Sequence, residues 1–270
     1  MTAVAVHHVL DAEPGLPEDA PTVVLANSLG STMAMWAEQL PHLAKHFRVL
    51  RYDTRGHGGS PAPPGPYSID DLTDDVVDLL DRLGLTRVHF VGLSLGGMTG
   101  LRLAARNPER VDRLVVLCTS ALLEPRQSWH DRAATVRAEG TSAVAEAVVG
   151  RWYTPDFAAR NPRVIATARA MVAATPAEGY ASCCEAIATM DLTADLPRIS
   201  APTLSIAGAD DPATPPPHLE RIAGAVADGR LLVVPRAAHL ANAEQAAEVT
   251  AAIVAHLCAG VPDQVSAEVS

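Results

Sequence analysis

Apolar positions along this chain follow two alternating patterns. Short continuous runs rich in Val, Leu and Ile recur at residues 22–26, 47–52, 88–93, 111–118, 202–208 and 230–234. Runs of this kind mark strands covered on both faces. Longer stretches between them repeat their apolar residues every three or four positions. Residues 70–83 place theirs at 72, 76, 79, 80 and 83, one helical stripe, with Ser68 and Asp70 available as caps. Further helices are expected from Leu95 through Ala105, around 218–226 and at 243–257. Residues 3–10 read as a first strand and 13–21 as a surface loop or hairpin connection. Residues 27–31 form a small-residue loop ahead of a helix near Met35. Such alternation implies an α/β fold, a mostly parallel central sheet with helices on both faces.

The pattern changes from Ser120 to about Pro197. Ala- and Arg-rich helical segments follow one another there without β-branched runs, broken at Asn161-Pro162, Thr175-Pro176 and Gly179. The expected organisation is a core formed by residues 1–120 and 197–270. A helical cap at 121–196 interrupts it after about the sixth strand. The tail beyond Gly260 is expected to be loose.

Composition narrows the function classes. Hydrophobic residues make up 48% and charged residues 19%, as in a soluble globular protein, and with only 4% aromatics the core must be built from Ala, Val, Leu and Ile. A net charge of −10, with Lys45 the only lysine, argues against a nucleic-acid or anionic-membrane partner. Any anionic substrate then needs a local arginine. Cys118, Cys183, Cys184 and Cys258 show neither metal nor disulfide spacing, so reduced thiols in a cytoplasm are expected. The N-terminus lacks the basic and apolar regions of a signal peptide, and no apolar run reaches membrane-spanning length. The oligomeric state is left open.

Chemistry concentrates where the apolar runs end. Gly92-Leu93-Ser94-Leu95-Gly96 lies on a strand-to-helix turn, the setting of a nucleophile elbow. Ligands in this architecture sit at the carboxyl ends of the strands. The 202–208 run leads into Asp210 and Asp211, and the 230–234 run leads to His239. A serine hydroxyl needs a base, and a histidine base needs a carboxylate on its other nitrogen. Ser94, an aspartate and His239 meet that need in the chain order of an elbow-type hydrolase. Adjacent side chains point different ways, so only one of Asp210 and Asp211 can face His239. Oxyanion donors are expected from the N–H groups of Leu95 and Leu29. Asp53, Arg55 and His57, at another strand end, read as ion pairs holding a Gly-rich loop. His42, His46, His89, His218 and His256 read as surface or helix-face histidines.

Several segments carry a resemblance. They are L-A-N-S-L-G-S-T-M-A-M-W (25–36), Y-D-T-R-G-H-G-G-S (52–60), V-G-L-S-L-G-G-M (91–98), A-T-P-A-E-G-Y (174–180), D-P-A-T-P-P (211–216) and A-A-H-L-A-N (237–242). On these the chain resembles the α/β-hydrolases, and among them the 3-oxoadipate enol-lactonases. The resemblance implies the α/β-hydrolase fold. It also selects Asp211, because the family's acid lies three residues after the glycine that is Gly208 here. The implied reaction opens a five-membered enol-lactone bearing a carboxymethyl arm to give 3-oxoadipate. It would run through an acyl-enzyme on Ser94, with no metal or other cofactor, in protocatechuate and catechol degradation. The implied partner is a small anionic lactone. Its carboxylate calls for an arginine, and Q-S-W-H-D-R (127–132) at the start of the cap offers Trp129 and Arg132. Another serine hydrolase of the same fold (an esterase, a C–C bond hydrolase or a perhydrolase) fits the same residues. A ligand receptor built on the hydrolase fold is the reading from a different class.

Overall fold

The computed structural model describes residues 2–259. The tail expected to be loose, and with it the end of the 197–270 segment, lies outside the described residues.

Seven strands form one sheet: β1 (His8–Asp11), β2 (Thr22–Ala26), β3 (Arg48–Tyr52), β4 (Val88–Leu93), β5 (Val111–Leu117), β6 (Thr203–Gly208) and β7 (Gly229–Val234). Their order across the sheet is β1-β3-β2-β4-β5-β6-β7. Only β1 runs antiparallel, pairing Val9 with Arg51 on β3. The apolar runs are explained by position: β2, β4 and β6 are central and buried along their whole length. β7, at the edge, leaves Leu231 and Val233 exposed.

Six helices connect or follow the strands of the core. They are α1 (Leu40–Leu43), α2 (Ile69–Arg82) and α3 (Leu95–Arg106) before the helical stretch, and α9 (Pro216–Ala225), α10 (Ala241–Glu244) and α11 (Ala246–Cys258) after it. Ser68 starts α2 with a capping box, its side chain accepting from Asp71 N–H while the Asp71 carboxylate accepts from Ser68 N–H. Five helices in succession fill the stretch between β5 and β6: α4 (Arg126–Glu139), α5 (Ser142–Trp152), α6 (Pro155–Arg160), α7 (Pro162–Ala173) and α8 (Ala177–Thr189).

Some sequence expectations are corrected. The helical stretch follows the fifth strand, not about the sixth, since β1 to β5 are the strands that precede it. Residues 3–7 do not belong to β1. Two of their N–H groups go to side chains and not to a neighbouring strand, Val4 to Asp75 Oδ1 at 2.7 Å and His7 to Ser60 Oγ at 2.8 Å, while His7 O still accepts from Asp53 N–H at 2.9 Å. The segment near Met35 is a short 3₁₀ turn (Met33–Trp36) followed by α1. The last helix is interrupted at Gln245, whose backbone (φ −122°, ψ 50°) separates α10 from α11.

Candidate active site

The turn between β4 and α3 places Ser94 at φ 55°, ψ −113°, a left-handed conformation that side chains rarely adopt. Its neighbours make that turn possible. A Cβ on Gly92 would lie 2.2 Å from the Gly96 carbonyl oxygen, and one on Gly96 would lie 2.3 Å from that of Ala26. Glycine is therefore required at both flanks. The strained backbone is held by Ser94 N–H donating to Leu117 O at 2.9 Å and by the Thr119 hydroxyl donating to Ser94 O at 2.7 Å.

Asp211 and His239 meet because the loops after β6 and β7 touch at a glycine. A Cβ on Gly208 would lie 2.3 Å from Ala238 O, and Asp210 N–H donates to Ala237 O at 2.9 Å. This contact brings His239 Nδ1 to 2.8 Å from Asp211 Oδ2. Asp210, the alternative, is exposed. The Thr214 hydroxyl donates to the same carboxylate at 2.7 Å and Ala213 N–H at 2.8 Å. Burial alone would raise the Asp211 carboxyl, but His239 and these donors hold it down at about 2. The carboxylate is thus ionised, and the ring nitrogen facing it carries a proton.

Ser94 and His239 line one cavity of about 50 Å³, together with Leu29, Trp129, Arg132 and Tyr180. That volume holds a few waters, so a ring-sized ligand requires lining side chains to move. Trp129 and Arg132 stack on each other, with the guanidinium carbon 4.4 Å from the ring centroid. Arg151, on α5, also lines the cavity. Neither Arg132 nor Arg151 forms an ion pair among the described residues. Arg151 is depressed by burial and then by Arg132. The Tyr180 hydroxyl is buried and faces the Arg132 guanidinium without a hydrogen bond of normal geometry among the described residues. Two guanidiniums and a phenol offer hydrogens here and supply no anionic acceptor, a lining suited to an anion.

The N–H groups expected to receive an oxyanion have hydrogen-bonded neighbours. Ser28 N–H points to Met35 Sδ at 3.3 Å, Gly30 N–H to His57 Nε2 at 2.9 Å and Gly96 N–H to Asn27 O at 2.9 Å. Leu29 and Leu95, the expected donors, lie next to these residues in the chain. His57 therefore does more than expected from its strand end. Nε2 accepts from Gly30, so Nδ1 bears the proton and donates to Arg55 O at 3.2 Å. Burial lowers its pKa and keeps the ring neutral.

The ion-pair reading of that loop holds with different partners. Arg55 pairs with Asp75, not Asp53, at 2.5 and 2.6 Å. Asp53 instead accepts from the N–H groups of Met33 and Gly59, both at 2.9 Å, and lies 3.0 Å from His7 Nδ1. His42 and His46 are exposed as expected. His89 is not a surface histidine: it sits within β4, buried, edge-on to Phe47. His256 is also buried, 3.1 Å from Pro202 O. No cluster of metal-ligating side chains occurs among the described residues. None of their helices is long and apolar enough to cross a membrane.

Sequence reasoning missed Arg151 and Tyr180. Arg151 sits in an Ala- and Val-rich helix, and only the packing of the helical stretch brings it beside Arg132. Tyr180 ends the 174–180 segment, but its approach to Arg132 exists only in three dimensions.

Comparisons with known proteins identify the fold's family. A family model described as the alpha/beta hydrolase fold matches residues 21–246. The chain is 41% identical over 236 residues to "3-oxoadipate enol-lactonase 2" of Acinetobacter baylyi, covering 84% of this chain and 85% of that one. The crystal structure of the enol-lactonase from Burkholderia xenovorans superposes with a TM-score of 0.90 at 45% identity, covering 93% of this chain and 96% of that one. A Stutzerimonas stutzeri protein provisionally named carbamate hydrolase RutD is 32% identical over 244 residues, 88% of this chain and 92% of that one.

Proposed function

The chain belongs to the alpha/beta hydrolase family, and on that footing we propose that it hydrolyses 3-oxoadipate enol-lactone to 3-oxoadipate. It would do so in the cytoplasm, within the β-ketoadipate route of protocatechuate and catechol breakdown. The observation that carries this reading is one cavity in which Ser94 and His239 face two guanidiniums, Arg132 and Arg151, that form no ion pair among the described residues. An ester hydrolase for neutral substrates has no use for two uncompensated cations beside its nucleophile.

In the proposed mechanism the Ser94 hydroxyl attacks the lactone carbonyl while His239 takes its proton through Nε2. Asp211 fixes the tautomer and stabilises the imidazolium. The N–H groups of Leu29 and Leu95 receive the oxyanion. Collapse breaks the ring C–O bond and expels an enol, a better leaving group than an alkoxide, which takes the proton from His239 and becomes the ketone. Water, activated by the same imidazole, then releases the acyl group from Ser94. Arg132 and Arg151 hold the carboxymethyl arm, with Trp129 covering the ring. Residues 121–196 act as the cap of a core formed by 1–120 and 197–270, and no step calls for a metal or cofactor.

The test is a side-by-side measurement of kcat/KM on the enol-lactone, p-nitrophenyl acetate and a neutral carbamate. Two charge-assisted contacts to the arm should favour the lactone by at least about a hundredfold. Faster turnover of either neutral compound would overturn the assignment.

A further inference from the structure

His239 is gripped by the helical stretch on both sides of its own backbone. The N–H of Leu240, one residue on, donates to Trp152 O at 2.9 Å. The N–H of Ala238, one residue before, donates to Glu244 Oε2 in a short contact. The other oxygen of that carboxylate, Oε1, accepts from Thr154 N–H and from the Thr154 hydroxyl, both at 2.8 Å. Thr154 caps α6, its hydroxyl oxygen accepting from Phe157 N–H at 3.3 Å. Both grips therefore end in residues 152–154, the junction of α5 and α6, and Trp152 also lines the Ser94 cavity.

We infer that Glu244 is a positioning residue that locks the His239 loop to the α5–α6 junction, so that the imidazole and this part of the cap move as one body. Glu244 does not touch the reacting atoms. It receives three donated hydrogens on two oxygens, a set that only a carboxylate satisfies, since an amide would set its NH₂ against one of the donors. A ring-sized substrate then enters by displacement on the α4 side, where Trp129 and Arg132 close the 50 Å³ cavity, and not by lifting the α5–α6 junction. The consequence for catalysis rests on the reading of His239 as the base. The mechanical linkage does not.

Two measurements separate these. Hydrogen exchange in the full-length protein reads the linkage directly. Glu244→Gln should accelerate exchange at residues 236–240 and at 151–155 together, while residues 126–133 keep their rate. Thr154→Val should do the same and Thr154→Ser should restore protection. Acceleration at only one of the two segments, or at neither, overturns the inference, whatever the protein hydrolyses. Steady-state kinetics on the preferred ester or lactone reads the consequence. Misplacing the imidazole should lower kcat on the order of 10- to 100-fold, with KM changed less than about threefold and thermal unfolding within a few degrees. Thr154→Ser should recover kcat where Thr154→Val does not. If Glu244→Gln does not fold, the Thr154 pair decides. A kcat unchanged despite the accelerated exchange would overturn the positioning role.

Discussion

Gly56 and Gly179 meet backbone to backbone: a Cβ on either would lie 2.3 Å from the Cα of the other. The first follows Arg55 in the loop after β3, at φ +76°, and the second lies in the first turn of α8. Their contact seats α8 on the core. The next residue, Tyr180, then lies against Gly30, where an added Cβ would be 3.0 Å from the Tyr180 ring.

Gly179→Ala should therefore destabilise the protein by about 1–3 kcal/mol, the usual cost of overpacking. The effect should also lower kcat/KM, because Tyr180 and the Leu29 loop shift with the helix. Gly150→Ala, in α5 with no atom within 4 Å of the new methyl beyond its own helix backbone and chain neighbours, should be neutral or stabilising. Urea unfolding of the two variants checks both signs.

Arg55 and Asp75 form an ion pair in which both side chains are almost entirely buried, at 0% and 2% exposure. The guanidinium also donates to Asp71 O at 3.1 Å and lies over the Tyr67 ring. Asp75→Asn should cost about 3–5 kcal/mol, because it strands a buried cation. Replacing Arg55 and Asp75 together by Met and Leu should cost less than that single change, and a double-mutant cycle measures the difference.

Acid should destabilise the fold well before its carboxylates titrate. Burial, opposed mainly by Asp112, lowers the His89 pKa from 6.5 to about 4, so the unfolded chain takes up this proton first. The stability tied to the neutral ring is complete above about pH 6.5 and is lost as pH falls toward 4. This one group accounts for on the order of 3 kcal/mol across that window, and burial of His57 and His256 acts in the same direction. Urea titrations at pH 7, 5.5 and 4.5 should show a shallower decline in His89→Leu than in the wild type.

Arg132→Ala and Arg151→Ala should each raise KM for the anionic lactone by roughly 10- to 100-fold, the worth of one charge-assisted hydrogen bond. KM for p-nitrophenyl acetate should stay nearly constant. Equal losses on both substrates would assign the arginines to packing.

The fold was legible where burial is two-sided. Val23, Val24 and Leu25 are covered from both faces, so an uninterrupted apolar run could mean only an interior strand. The elbow was legible because its glycines answer a local demand, the closeness of Gly92 to Gly96 and of Gly96 to Ala26. Residues 3–7 were not, since the N–H groups of Val4 and His7 are claimed by Asp75 and Ser60, partners far along the chain. His89 looked like a surface residue because a neutral buried ring and a solvated one are the same letter. Arg151 and Glu244 stayed hidden because their partners, the Arg132 cavity and the Thr154 cap, exist only once five helices have packed over the sheet. Patterning left Asp210 and Asp211 equivalent. The family resemblance distinguished them, and the Gly208–Ala238 contact is the physical reason that Asp211 faces His239.

The most direct measurement is a progress curve for loss of 3-oxoadipate enol-lactone absorbance with the wild-type protein and with Ser94→Ala. The account expects sustained turnover by the wild type, on the order of 1–10³ per second, and a fall of about 10⁴-fold or more in the variant. A wild-type protein that leaves the lactone intact, or a Ser94→Ala variant that still opens it at the wild-type rate, would contradict it.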